Sequence, residues 1–265
     1  MMRGSEEPHR AQRAFRSVLD AFARPGVVHE VELAPENSGR PASLDASLEQ
    51  VARLFVDQAV TFCVVDSETD AVTAYLSGET RARCAPLREA DFVVVPVRAD
   101  ARAAHEAVVE ACCGTLIAPE KGATVLVGCS RLAEAPESGG VGMAGDRGEL
   151  GEIAEQAVHV VALRGPGVRD VNSFAVDRVD WLNARAQRGD EFPCGIEIVL
   201  VDPDGHVVAV PRSASATLLG DSSPLVHERR SLRRSTLGER AFDAKRSGEP
   251  LREEASCFPM DEEVS

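Results

Sequence analysis

The sequence predicts a single three-layer α/β domain in which a mixed central sheet is covered by helices on both faces. Two observations carry that expectation. Apolar, β-branched runs alternate with amphipathic helical stretches through most of residues 9–212, the pattern of a sheet whose strands are joined by crossover helices. The last strong feature is a hairpin: residues 196–201 and 206–210 are apolar at nearly every position, so both faces of each strand are expected to be buried. Between them Asp202, Pro203, Asp204 and Gly205 supply turn chemistry, with Gly205 free to take a positive φ. Pro193 and Pro211 bracket the unit, and each lacks the N–H that would continue a ladder.

The remaining elements follow from periodicity. Residues 9–23 read as a helix, because Phe15, Val18, Leu19 and Phe22 recur at helical spacing, and Pro25 and Gly26 end it. A strand is expected over 27–33, then a loop over 34–41. Ser43 or Asp45 can cap a second helix that carries Leu48, Val51, Leu54 and Phe55. A buried strand follows at 60–65, a short helix at 69–76 before the Ser77-Gly78 break, and an apolar strand at 92–97. Residues 100–112 read as a helix with Val108 and Val109 inward, and residues 118–122 as a turn leading into a strand at 123–127. Residues 133–155 turn to Gly, Glu, Ser and Ala without apolar period and are expected to be a mobile surface insertion. A strand at 159–163 ends in Arg164, Gly165, Pro166 and Gly167. The last helix, 177–188, places Val179, Leu182 and Ala186 on one side and Trp181 on another. Residues 1–8 and the charged stretch 218–265 are expected to be disordered, since neither buries enough apolar surface to offset ordering entropy.

Composition excludes several classes of function. At 265 residues and 44% hydrophobic content the chain can bury a large core. A net charge of −14 argues against coating nucleic acid, which needs clustered positive charge. No apolar run approaches the roughly 20 residues that span a bilayer, and the polar N-terminus lacks a signal-peptide core, so a cytoplasmic protein without membrane attachment is expected. The seven cysteines are odd in number, lie mostly in apolar runs and show no C-x-x-C pair. They read as reduced thiols packed as small hydrophobes, and no structural metal site is expected.

Few residues suggest chemistry. Gly140, Gly142 and Gly145 match the dinucleotide fingerprint in spacing, but no strand precedes them and an acidic stretch follows, so the match reads as accidental. Arg164, Gly165 and Gly167 are better placed, at the C-terminal end of a strand. Backbone N–H groups there could hold a phosphate, or the glycines could serve a tight turn alone. Glu197 is a lone acid in an apolar strand and must be paired or neutral; Arg212 is its expected partner. The six histidines are scattered without metal or triad spacing. Arg229-Arg230 and Arg233-Arg234 read as a solvated stretch, with docking to an acidic partner as the alternative.

Taken together, the segments 15–26 (Phe15 to Pro25-Gly26), 114–124 (Gly114, Thr115, Pro119, Glu120, Gly122, Thr124), 163–168 (Leu163, Gly165, Pro166, Gly167), 192–197 (Phe192, Pro193, Gly195, Ile196, Glu197) and Pro211-Arg212 resemble, in order, the H subunits of the bacterial carbon–phosphorus lyase core complex, the PhnH family. Glu197 stands where that family usually has aspartate, and Ser213 where threonine is common. The resemblance covers residues from about 9 to 215. It implies a fold similar to the large domain of pyridoxal-phosphate-dependent transferases, without that cofactor. The residues agree, because a Schiff base needs a lysine and the chain has two, Lys121 in a turn and Lys245 in the charged stretch.

By the same resemblance, the chain is expected to act in phosphonate breakdown. The complex joins an alkylphosphonate to the ribose of ATP, displacing adenine, before another subunit cleaves the carbon–phosphorus bond. The expected role is that of a non-catalytic or accessory subunit, forming a homodimer and packing against the other core subunits. Catalytic, cofactor and metal residues are not expected; Arg164, Gly165, Gly167, Glu197 and Arg212 are candidates for ligand or interface contact. Two alternatives stand beside this reading: an enzyme subunit that binds nucleotide or phosphonate near Arg164 and Gly167, and a free-standing metabolite-binding protein.

Overall fold

Each strand of the main sheet offers one row of apolar side chains to each face, and that alternation builds two cores. In the computed structural model, residues 6–35, 39–66, 68–135 and 158–219 are described. Helix α1 (Glu6–Ala23) is followed by β1 (His29–Glu30), α2 (Ala46–Phe55), β2 (Thr61–Val64), α3 (Thr69–Thr80), β3 (Arg83–Cys84) and β4 (Phe92–Val95). Then come α4 (Ala101–Glu110), β5 (Thr124–Gly128), β6 (Leu132–Glu134), β7 (His159–Arg164) and β8 (Asn172–Val176). The last described elements are α5 (Asp180–Arg188), β9 (Glu197–Val201), β10 (His206–Val210) and β11 (Ser215–Leu218).

The main sheet has seven strands in the order β1-β10-β9-β5-β4-β2-β3. It is mixed, as expected: β2, β3, β4, β5 and β9 run parallel, the hairpin partner β10 runs against them, and the edge strand β1, antiparallel to β10, shares the direction of the rest. Parallel neighbours need crossovers, and two of the helices that supply them, α3 and α4, lie on opposite faces, while β5 and β9 are joined through β6–β8 and α5. Helix α3 buries Val72 and Leu76 in the core shared with α1 and α2, beneath Val94, Leu126, Val199 and Ala209. Helix α4 buries Ala104, Ala107 and Val108 on the other side, against Val93, Val125, Ile198 and Val208. The hairpin sits centrally, and Ile198 to Val201 and Val207 to Val210 are all essentially inaccessible, which accounts for its unbroken apolar character.

The covering of the second face departs from the expectation. Helices α4 and α5 cover part of it, but a separate four-stranded antiparallel sheet, β11-β7-β8-β6, covers the rest. Leu132, Val161, Leu163, Phe174 and Val176 from that sheet join the core of the main sheet. Its strands β8 and β11, and the short edge strand β3, were not anticipated. Each is short, and in β11 exposed and half-buried positions alternate, so its apolar content is low.

Other boundaries also differ. Helix α1 starts at Glu6, inside the stretch expected to lack structure. The strand expected over 27–33 is reduced to His29–Glu30. Helix α3 continues through Gly78 to Thr80, because Gly78 lies in open space and glycine costs a helix only about 1 kcal/mol. Asp45 is the residue before α2 but makes no side-chain cap, whereas Asp100 caps α4 through Arg102 N and Ala103 N. Helix α5 begins at Asp180 and buries Trp181, Leu182 and Ala184; Leu182 is inward as expected, while Ala186, also expected inward, is exposed. Ala133 and Glu134, assigned to the insertion, belong to β6. The rest of that insertion within 136–157, including the glycine fingerprint, lies outside the described residues. So do 1–5, the paired arginines and the charged stretch from 220 onward. The described residues belong to one unit, Met1–Gly220, and among them no helix is long and apolar enough to cross a membrane.

Candidate functional site

Segments far apart in sequence meet at the amino ends of β5 and β9. The strand β9 opens with Glu197, and the chain leaving β10 passes it as Pro211-Arg212. Arg212 N donates to Glu197 Oε2 at 2.7 Å and Arg212 Nε to Oε1 at 2.5 Å. Both side chains are mostly buried, 17% and 19% exposed, so the lone acid of the apolar strand is paired as expected. The guanidinium reaches further: Nη1 donates to the carbonyl of Pro119, in the 3-10 turn Pro119–Lys121. One arginine therefore holds three segments: 118–122, the start of β9, and its own strap, residues 211–216.

Backbone contacts complete the knot. Gly195 N donates to Cys113 O at 2.8 Å, Ala123 N to Cys112 O at 2.8 Å and Glu197 N to Ala123 O at 3.0 Å. Gly122 is required sterically, since a Cβ there would lie 2.2 Å from Gly195 O. Gly114 has φ +73°, and its Cβ would sit 2.9 Å from two carbonyl oxygens. The loops held this way carry large apolar side chains in solvent: Leu116 is 75% exposed, Ile117 97% and Phe192 75%.

Arg164, Gly165 and Gly167 occupy the other edge of the same strap. Ser215 pairs with Arg164 in the β11–β7 ladder, and a Cβ on Gly165 would touch Ala214 Cα at 3.0 Å. Gly167, at φ +83°, lies against α1, where its Cβ would meet Ala23 O at 2.6 Å. Asn172 Nδ2 donates to Pro25 O at 2.7 Å, and Gly26 fits under Asn172 and Leu163. The glycines thus serve close packing between α1 and the β7–β8 connection, while Arg164 is exposed. All five sequence candidates lie on or beside the strap, Glu197 and Arg212 at one edge and the glycine turn at the other.

Two residues that sequence reasoning did not single out complete the picture. Arg185, on α5, donates through Nη2 to Pro211 O (2.7 Å), Arg212 O (3.3 Å) and Ala214 O (2.8 Å). Arg188, one turn on, donates through Nη1 to Val108 O and Val109 O at the end of α4 and through Nε to Asp190. Between α5, residues 189–196 and the strap lies a cleft of about 280 Å³ lined by Arg185, Arg212, Leu182 and Ile196 among others. Burial pulls the pKa of Arg185 down from the ordinary arginine value, and the charges of Glu197 and Asp190 pull it back. On an amphipathic helix such arginines read as solvated; only the fold brings them over free carbonyls.

The carboxyl ends of β5 and β9, where α/β sheets commonly bind ligands, are filled. Asp202 accepts Leu132 N, Asp204 N, His206 N and His206 Nδ1 at 2.9–3.1 Å. Asp177 accepts Ser130 N and Arg131 N, and Arg178 donates to Gly128 O at 3.0 Å. Asp202, Asp204 and His206 come within 4.8 Å of one another, yet the Asp202 carboxylate is taken up by turn and strand N–H groups. Cys129, fully buried nearby, has its thiol pKa pushed well up by desolvation. Lys121 is exposed at the end of its turn.

These features define an α/β protein whose distinctive residues are used to fasten loops at the amino end of a mixed sheet. Residues 4–217 match the family described as bacterial phosphonate metabolism protein (PhnH), and the chain belongs to that family. It is also 29% identical over 214 residues to HtxG of Stutzerimonas stutzeri, named a putative C-P lyase subunit protein, a match covering 80% of this chain and 88% of the relative.

Proposed function

We propose that this chain is an accessory, non-catalytic subunit of a carbon–phosphorus lyase assembly, supporting the transfer of an alkylphosphonate to the ribose of ATP. It acts in the cytoplasm, as a homodimer packed against the other core subunits, with a fold related to the large domain of pyridoxal-phosphate-dependent transferases. Family membership and the likeness to HtxG support the assembly. The observation that carries the scaffold role is the exposure of Leu116, Ile117 and Phe192 on loops immobilised by Arg212. Apolar side chains left in water on rigid supports mark a protein contact, because docking them costs little ordering entropy.

The test is co-purification with the other core subunits. Ile117→Asp and Phe192→Asp should reduce capture of those subunits at least about tenfold, since each charge would be desolvated in the contact. Both positions are exposed, so melting midpoints should not move. Full capture by the double variant contradicts the reading.

A further inference from the structure

The cleft beneath the strap has a charge imbalance that its structural duties do not explain. Arg185 donates only through Nη2, and among the described residues its Nε and Nη1 make no hydrogen bond to the protein. The neighbouring acids are engaged elsewhere: Glu197 with Arg212 and Asp190 with Arg188 at 2.6 Å. Arg185 hydrogen-bonds three carbonyl oxygens, and the nearby carboxylates of Glu197 and Asp190 act on it only through their field, although it lines a cleft and is withdrawn from bulk water. Three arginines, Arg185, Arg188 and Arg212, thus share two carboxylates here; among the described residues Arg185 has no acid hydrogen-bonded to it and has donors to spare, and the fork of N–H groups suits a planar or tetrahedral oxyanion. Apolar surface in the cleft comes from Ala186, which is exposed, and Ala216, which is half-buried, with Leu182 adding the little it leaves accessible. About 280 Å³ is near the lower end of small-ligand sites, which run from roughly 300 Å³ upward.

We infer that the cleft between α5 and the strap binds a small organic oxyanion of the phosphonate or phosphate-ester type, its anionic head on Arg185 Nε and Nη1 and its carbon substituent against Ala186 and Ala216. This is a binding site with no bond made or broken. It places ligand against the segments 192–197 and 211–212 that fasten the exposed loops, so occupancy tightens the knot from which those loops project. The inference does not rest on the scaffold role.

The experiment is calorimetric titration of the full chain with methylphosphonate, inorganic phosphate and, as a control for general anion binding, acetate. Methylphosphonate should bind. Arg185→Gln should weaken it at least about tenfold, the usual effect of losing a charge-assisted pair. Because that change also removes bonds to the strap, a second variant acts by bulk: Ala186 is exposed on α5 and lines the cleft, so Ala186→Phe should block binding while leaving the melting midpoint unmoved. Inorganic phosphate, which has no carbon substituent, should bind more weakly, and phosphate binding as tightly as methylphosphonate overturns the apolar contact. Acetate equal to both overturns the assignment, as does undiminished methylphosphonate binding by Ala186→Phe or no binding to the wild type at millimolar concentration. Subunit capture by Ala186→Phe is measured in parallel. Intact capture with lost binding isolates failure of the cleft from failure of docking.

Discussion

Arg212 has a hydrogen-bonding role that no other residue type can fill. Lysine could meet Glu197 but could not at the same time reach the carbonyl of Pro119 from a planar fork. Removing one partner of a pair this enclosed leaves the other charge stranded, which costs about 3–5 kcal/mol in fully buried cases. With the two side chains 17% and 19% exposed, Arg212→Met is expected to cost about 2–4 kcal/mol. The double change Glu197→Gln, Arg212→Met should recover part of that loss. Urea unfolding followed by the fluorescence of Trp181, the single tryptophan, measures both. Small, additive effects from Glu197→Gln and Arg212→Met would mean the pair behaves as a solvated one. This pair was legible in the sequence because an acid in an apolar strand demands a partner and an arginine closes the same hairpin. Arg185 was not legible, since its role depends on carbonyl groups contributed by a strap 26 residues away.

At the level of elements, the second sheet is the test of how the core is organised. Leu163 on β7 is wholly buried in the core that also holds Trp181, Phe174, Val125 and Ile198, so the two sheets share one apolar interior. Leu163→Ala should cost about 2–5 kcal/mol and shift a single cooperative transition seen by both Trp181 fluorescence and far-ultraviolet circular dichroism. Two separated transitions would show that the small sheet unfolds by itself. The hairpin, α1, α2, α4 and the central strands were readable because their period is strong. Strand β8 was not: it is five residues long, and its apolar part is confined to Phe174, Ala175 and Val176, which no length or alternation rule separates from a loop. The register of α5 was misread for a related reason. Counting Val179, which precedes the helix, in an apolar stripe with Leu182 and Ala186 makes Trp181 look peripheral, although it is fully buried with Nε1 donating to Arg178 O at 3.0 Å.

For the whole molecule the deciding quantity is charge. A formal −14 opposes compaction through self-repulsion, whereas the exposed ion pairs on α1, Arg13 with Glu32 and Asp20 with Arg24, are worth about 0–1 kcal/mol each. Salt weakens both effects, but repulsion acts over the whole molecule and the pairs act singly. Raising NaCl from 10 to 150 mM shortens the screening length from about 30 Å to about 8 Å, which removes most long-range repulsion and leaves the enclosed Glu197–Arg212 and Arg188–Asp190 pairs nearly intact. The melting midpoint is therefore expected to rise by a few degrees over that range, with the slope steepest below 50 mM, and to level off beyond it. A midpoint that falls with salt would mean that paired surface charges outweigh net repulsion. In that case docking to partner subunits would have to relieve no electrostatic strain, and the affinity of the exposed loops would rest on Leu116, Ile117 and Phe192 alone.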